Sequence, residues 1–92
     1  MGQFDHDRLE VYRLALELDA LVASLVPRRG CHIIRDQIDR SSLGVVLCLA
    51  EGAGRRSPKD KRRFYAMARG SATESASALD VLHARKLIPP AG

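Results

Sequence analysis

Aromatic side chains are scarce in this sequence of 92 residues, which has no tryptophan, two tyrosines and two phenylalanines. A core must therefore be built mainly from Leu, Val, Ile and Ala, as in helical bundles. A chain of this length forms one small domain, which we take as residues 1–92. Small domains bury a limited share of their surface, and many gain the missing burial by forming oligomers.

Cysteine is also rare, and the pattern offers no metal site. The two cysteines, Cys31 and Cys48, form no CxxC pair, and the three histidines lie far from any metal-ligand spacing. We therefore expect neither a metal nor another cofactor. The polar N-terminus does not resemble a secretory signal, and the longest apolar run, 45–50, is too short to span a membrane. The expected setting is the cytoplasm, with free thiols.

Acidic residues are few in the second half of the chain. Residues 1–51 carry six Lys or Arg and eight Asp or Glu, whereas residues 52–92 carry nine and three. The net charge of +4 is therefore concentrated after residue 51. This asymmetry favours an anionic partner, with nucleic acid ahead of an anionic membrane, and a merely basic soluble surface is the alternative.

Three segments show the 3.6-residue apolar period of amphipathic helices, at about 7–26, 32–52 and 58–86. Ser57, Pro58 and Asp60 fit the cap, the first position and the third position of the third helix. Glycines Gly52 and Gly54 are expected to end the second helix. Two prolines at 89 and 90 are expected to end the third.

Three helices with short connections predict an all-α, up-down antiparallel bundle of the four-helix type, with the fourth helix absent or truncated. The second helix is apolar almost all round between residues 43 and 50. Two neighbouring helices cannot cover such a surface. Either a fourth helix or another copy of the chain is expected to cover it.

The segment GAGRRSPKDKRR is not a nucleotide-binding loop. It lacks the glycine spacing and the Lys-Ser or Lys-Thr pair of a Walker A loop, and Ser57 stands where a dinucleotide-binding loop has its third glycine. The segment also follows a predicted helix rather than a strand. Nucleotide binding of either type is therefore not expected.

Residues 52–71 carry seven Lys or Arg and one Asp. Helical spacing places Lys59, Arg62 and Arg63 on one face, which Arg55 and Arg56 can reach from the linker. So many like charges repel one another, and contact with nucleic-acid phosphates would relieve the repulsion. A solvated linker is the alternative. The candidate nucleic-acid-binding residues are Arg55, Arg56, Lys59, Arg62, Arg63 and Arg69.

Three further charged residues, Arg40, Glu51 and Glu74, lie beside apolar or small-residue stripes. They are expected to form a polar network of ion pairs between helices, which fixes helix register more than it adds stability. An alternative pairs Glu51 with Glu74 for acid–base catalysis or metal binding. Neither a nucleophile nor a supporting histidine accompanies that pair, so no enzyme is expected.

Three stretches of the sequence resemble a known family. The second helix and its end read Q-I-x-R-S followed by L-A-E-G-x-G-R, and the third helix reads F-x-x-M-A-x-G-S-x-x-E. The first helix carries L-x-V-Y-x-x-A from Leu9 to Ala15. This combination is similar to that of the four-helix bundle proteins first noticed as products of 23S rRNA intervening sequences. Their relatives include the accessory variability protein of diversity-generating retroelements.

The match has departures, including Gly44, Cys48 and Ser75 where serine, asparagine and leucine are usual, and Lys61 where an aromatic residue is common. The resemblance implies a helical bundle that assembles with itself as a ring, commonly a pentamer. It implies RNA or DNA binding through basic residues and no catalytic activity. By analogy with the retroelement relatives, a reverse transcriptase is a conceivable protein partner.

The expected function is therefore that of a non-enzymatic homo-oligomeric bundle that binds nucleic acid through its basic patch. The alternative is an assembly or adaptor protein whose basic surface docks an acidic protein partner and has no nucleic-acid role. Competition by generic polyanions separates the two, because an adaptor would need its defined partner.

Overall fold

The computed structural model describes residues 3–26, 29–30 and 32–88, with side chains described from residue 9 onward. All regular structure in these ranges is α-helical, in three helices: α1 (Gln3–Leu25), α2 (His32–Gly54) and α3 (Pro58–Ala84). The prediction of an all-α fold with three helices is confirmed. The sequence-based bounds differ from these by four residues at the start of α1, by one at its end, and by two at the ends of α2 and α3.

The helix α2 lies at the centre of the bundle, and α1 and α3 both pack against it. The α2–α3 interface is the more extensive of the two. The molecule is elongated, with extents of 45 × 23 × 17 Å. At one end of the bundle, Val22 of α1, Ile38 of α2 and Leu82 of α3 share one cluster, so successive helices run antiparallel.

The core consists of two apolar clusters. The first combines Val22, Val26, Ile38 and Leu82, with Ile88 among the side chains packed on it. The second cluster is smaller and lies nearer the α2–α3 connection. Its buried members are Ala15, Val45 and Val46. These small side chains let the helices approach closely, in keeping with the shortage of aromatic residues.

A layer of polar side chains separates the two clusters. The hydroxyl groups of Ser41 and Ser75 lie 2.7 Å apart, and both residues are buried. Ser42, which is fully buried, donates a hydrogen bond of 3.0 Å to Asp19 of α1. Because each hydroxyl has a partner, the layer joins α2 to both neighbours without leaving a buried serine oxygen unsatisfied.

The start of α3 follows the sequence prediction. Ser57 is the N-cap, and its side chain accepts a hydrogen bond of 3.3 Å from the backbone N–H of Asp60. Pro58 occupies the first turn, where its missing N–H costs no hydrogen bond. Asp60 adds a negative charge at the positive end of the helix dipole.

The end of α3 is set by a Schellman motif. The N–H of Leu87 donates to the carbonyl of Leu82, and the N–H of Lys86 donates to that of His83, both at 2.9 Å. Lys86 has a φ of 57°, a left-handed conformation that glycine usually supplies. The helix therefore ends before the two prolines that are expected from the sequence to end it. Those prolines, and Cys31, lie outside the described residues.

Apolar side chains remain on the outer surface. Leu43 and Leu47 on α2 are 47% and 54% exposed, on the side of the helix away from the core. Leu14 and Leu21, two turns apart on α1, are also exposed. The single chain thus leaves part of the central helix uncovered, as the apolar run 43–50 predicted. Within the described residues, no helix combines the length and apolar character needed to span a membrane.

Candidate nucleic-acid interface

The chain reverses direction sharply between α2 and α3. Only residues 55–57 separate the two helices, and the backbone N–H of Arg55 donates to the carbonyl of Gly52 at 3.2 Å. The last turn of α2 therefore lies beside the first turns of α3. This reversal places the basic residues from 55 to 63 at one end of the molecule.

Gly52 lets the two helices approach at this end. A Cβ atom added to Gly52 would lie 2.6 Å from Cε1 of Tyr65 and 3.1 Å from Cβ of Phe64. Gly52 is buried and has no left-handed φ, unlike Gly30, whose φ is 82°. The sequence-based role for Gly52 as a helix stop is therefore wrong. Its function is close packing, and α2 continues to Gly54.

Lys61 differs from the other cations of the segment. Its ammonium group donates to the backbone carbonyls of Ala53 at 3.2 Å and Gly52 at 3.4 Å. These carbonyls belong to the last turn of α2, where helices lack internal hydrogen-bond donors. Lys61 is partly buried and caps α2, so its charge serves the junction of the two helices.

The Phe64 ring contacts the guanidinium groups of two arginines. The guanidinium carbon of Arg55 lies 4.7 Å from the centre of the Phe64 ring, and that of Arg63 lies 4.8 Å from it. Both distances fall within the range of cation–π contacts. Each guanidinium also neighbours one carboxylate. Arg55 donates to Glu51 at 3.0 Å, whereas Arg63 stands 4.0 Å from Asp60, beyond hydrogen-bond distance.

The other four predicted binding residues are exposed. None of them forms an ion pair with a residue that the structure describes. Arg69 follows Arg62 by seven residues, so it lies about 10 Å further along α3 on nearly the same side. The reversal thus gathers five cations at one end, and Arg69 extends the positive charge along the helix. The four residues are Arg56, Lys59, Arg62 and Arg69.

The structure does not bring Arg40, Glu51 and Glu74 together. All three are exposed, and Glu51 pairs with Arg55 one turn later in the same stretch of chain. Arg40 and Glu74 make no ion pair with a described residue. The cross-helix network expected of these residues is absent from the described part of the single chain, because their faces point away from the helix–helix contacts. The same placement gives the Glu51–Glu74 acid–base pair no support.

The residues that do link the helices through polar contacts are Ser41, Ser42, Ser75 and Asp19. Their signal was present in the sequence, because three serines interrupt apolar stripes at positions that face the core. The contact of Phe64 with two guanidinium groups depends on the linker conformation. No helical periodicity reports that conformation.

The model of the 23S rRNA-intervening sequence protein family matches residues 7–91, nearly the whole chain. The chain belongs to this family. The resemblance to this family, carried by motifs in all three helices, is therefore confirmed. No curated protein matches the chain. The match includes α2, α3, all of α1 except its first turn, the polar layer and the six candidate binding residues.

Proposed function

We propose that this member of the 23S rRNA-intervening sequence protein family is a non-enzymatic, cytoplasmic, homo-oligomeric bundle that binds RNA or DNA through phosphates. The observation that carries the proposal is the convergence of five exposed cations at the α2–α3 reversal, two of them on the Phe64 ring. We call these five residues and Arg69 the basic surface, because Arg69 continues it along α3.

The electrostatics of the basic surface favour a polyanion. Its six cations face two local carboxylates, those of Glu51 and Asp60, in exposed pairs that contribute little energy. The remaining positive charge is uncompensated within the described chain. Phosphate contacts would neutralise it and release counterions from the nucleic acid, which supplies affinity that depends on salt and not on sequence.

Exposed apolar side chains support self-association. Leu43 and Leu47 place apolar surface on the central helix where no described element covers it. Contiguous apolar surface of this kind commonly marks a protein interface. A second copy of the chain would bury it and would also bring further basic surfaces together. Multi-angle light scattering is expected to give a mass above the 10.1 kDa of one chain, and a 10.1 kDa species at micromolar concentration would refute self-association.

The test of nucleic-acid binding is charge reversal at Arg62 and Arg63. R62E/R63E is expected to weaken binding of every sequence alike and to lower the slope of log Kd against log salt by at least about 1. Fluorescence anisotropy with labelled RNA and DNA oligonucleotides measures both quantities. The pair is chosen because both side chains are exposed and neither supports the core.

A matched control changes the net charge equally at the other end of the bundle. Arg29 and Arg85 are exposed, and both lie at the end where α1 and α3 finish. R29E/R85E is expected to change the salt slope by much less, because its charges lie about 30 Å or more from the α2–α3 junction. Equal losses in the two double variants would show nonspecific attraction to net charge and would refute the basic surface as the site.

A further inference from the structure

We infer that Phe64 is a positioning residue that holds Arg55 and Arg63 as a paired clamp for the phosphate groups of a nucleic-acid strand. This inference rests on the proposed function and specifies which part of the basic surface contacts the phosphate backbone of the nucleic acid. It assigns a task to the aromatic side chain, which bears no charge. Arg55 and Arg63 thereby differ from the other four cations of the basic surface, which have no aromatic contact of this kind among the described residues.

The geometry makes the two guanidinium groups neighbours. Since both lie within 4.8 Å of one ring centre, their carbon atoms are separated by less than about 10 Å. Arg55 lies in the linker, whereas Arg63 lies in α3. Their side chains form no hydrogen bond with each other, so the Phe64 ring is the contact that links these two segments here. The attraction of each guanidinium to the ring opposes the weak repulsion between two like charges at this distance.

Both arginines keep donors for a ligand. Their side chains are 42% and 62% exposed, and Arg55 donates one hydrogen bond, to Glu51, from a guanidinium that carries five N–H groups. Arg63 makes no hydrogen bond to Asp60 at 4.0 Å. A guanidinium placed over an aromatic ring keeps N–H groups for bidentate contact with phosphate oxygens.

The arginine pair on the Phe64 ring should lose less conformational entropy on binding than cations without such a contact. A long arginine side chain loses conformational freedom when it engages a phosphate, and this loss reduces affinity. The Phe64 ring removes part of that freedom before binding. Its contribution should therefore appear in affinity and should leave the salt slope almost unchanged, because the number of charges is the same.

The experiment is a set of variants at three positions. F64L keeps the Cβ atom that faces Gly52 and an aliphatic side chain but removes the ring, whereas F64Y keeps the ring. Anisotropy with a fluorescein-labelled oligothymidylate is expected to show about five-fold weaker binding for F64L at an unchanged salt slope. F64Y is expected to bind like the unchanged protein. R55Q/R63Q is expected to weaken binding and lower the slope by about 1.4.

A thermodynamic cycle decides whether Phe64 acts through the arginines. In the R55Q/R63Q background, F64L should cause no further loss of affinity, because no guanidinium remains for the ring to hold. An equal five-fold loss in both backgrounds would mean that Phe64 acts through the fold, and would overturn the inference. So would unchanged binding by F64L. Thermal melts of each variant identify any loss that arises from unfolding.

A second measurement separates this inference from the proposed function. Titration with inorganic pyrophosphate, followed by the Nε–H resonances of the arginines in NMR spectra, reports on the clamp without nucleic acid. Shifts at Arg55 and Arg63 that disappear in F64L support the clamp even if no oligonucleotide binds. Oligonucleotide binding that is independent of Phe64 leaves the proposed function standing and overturns the clamp. Absence of both responses overturns both.

Discussion

Replacing Gly52 with alanine should destabilise the protein, although alanine favours helices. Gly52 lies in the last turns of α2, where the added Cβ would sit 2.6 Å from Cε1 and 3.0 Å from Cδ1 of Tyr65. Ordinary contacts between carbon atoms are about 3.5–4.0 Å. The Cβ would also lie 3.1 Å from Cβ of Phe64, an atom fixed to the α3 backbone. Rotation of the tyrosine alone therefore cannot relieve the overlap.

The magnitude follows from two opposing effects. Inserting a methyl group into a packed contact costs about 1–3 kcal/mol, and overlap with three atoms places Gly52 near the upper end. The better helix propensity of alanine returns at most about 1 kcal/mol. The expected net loss in the free energy of unfolding is therefore about 1–2 kcal/mol. With a slope near 1 kcal/mol per molar urea, the unfolding midpoint should fall by about 1–2 M.

Two other glycines in the helices provide matched controls. Gly70 is exposed on α3, and a Cβ there would meet no atom within 4 Å, so G70A should gain about 1 kcal/mol from helix propensity. Gly44 is intermediate, because its Cβ would lie 3.1 Å from Oγ of Ser71, an atom that can rotate. G44A should therefore change stability by less than about 0.5 kcal/mol.

Urea unfolding followed by circular dichroism measures the series. All variants are compared at one protein concentration, because the stability of an associating chain depends on it. We expect the order G70A, then G44A, then G52A, from most to least stable. If G52A is as stable as G70A, the close approach of α2 to Tyr65 and Phe64 does not exist in solution.

Two further changes test the cap of α3 and the polar layer. K86G should raise the free energy of unfolding by about 0.5–1 kcal/mol, because glycine adopts the left-handed conformation of Lys86 without steric cost; a loss of stability in urea unfolding would contradict the Schellman end. S75A should lower it by about 1 kcal/mol through loss of the buried contact with Ser41. In a double-mutant cycle, S41A and S75A should together cost less than the sum of the two single changes; additivity would show that the hydroxyl groups do not interact.

Much of the fold was predictable because it depends on local patterns. The 3.6-residue period of apolar residues located three helices, and the arrangement of Ser57, Pro58 and Asp60 located the start of α3 to the residue. The end of α3 was less predictable. Lys86 adopts a left-handed conformation that lysine rarely favours, so no residue type signalled the stop at Ala84.

The site was predictable in composition but not in its connections. The clustering of Lys and Arg residues predicted the basic surface, because the charge of each residue can be read from the sequence. The sequence did not show which cation stabilises the fold. Lys61 faces the end of α2, whereas Arg62 lies on a different side of α3 and is exposed. The polar network was misassigned for the same reason. Arg40 and Glu74 were predicted to form the polar network because they are charged, whereas uncharged serines occupy the buried positions between the helices.

The junction of α2 and α3 joins stability to binding through a short series of contacts. Gly52 admits Tyr65 and Phe64 to the surface of α2, and Lys61 closes the last turn beside them. The Phe64 side chain that packs there through its Cβ also carries Arg55 and Arg63 on its ring. A change at Gly52 therefore reaches the proposed phosphate contacts through one residue, whereas G44A leaves that residue untouched. G52A should accordingly weaken oligonucleotide binding even at temperatures where the protein is fully folded, and G44A should not.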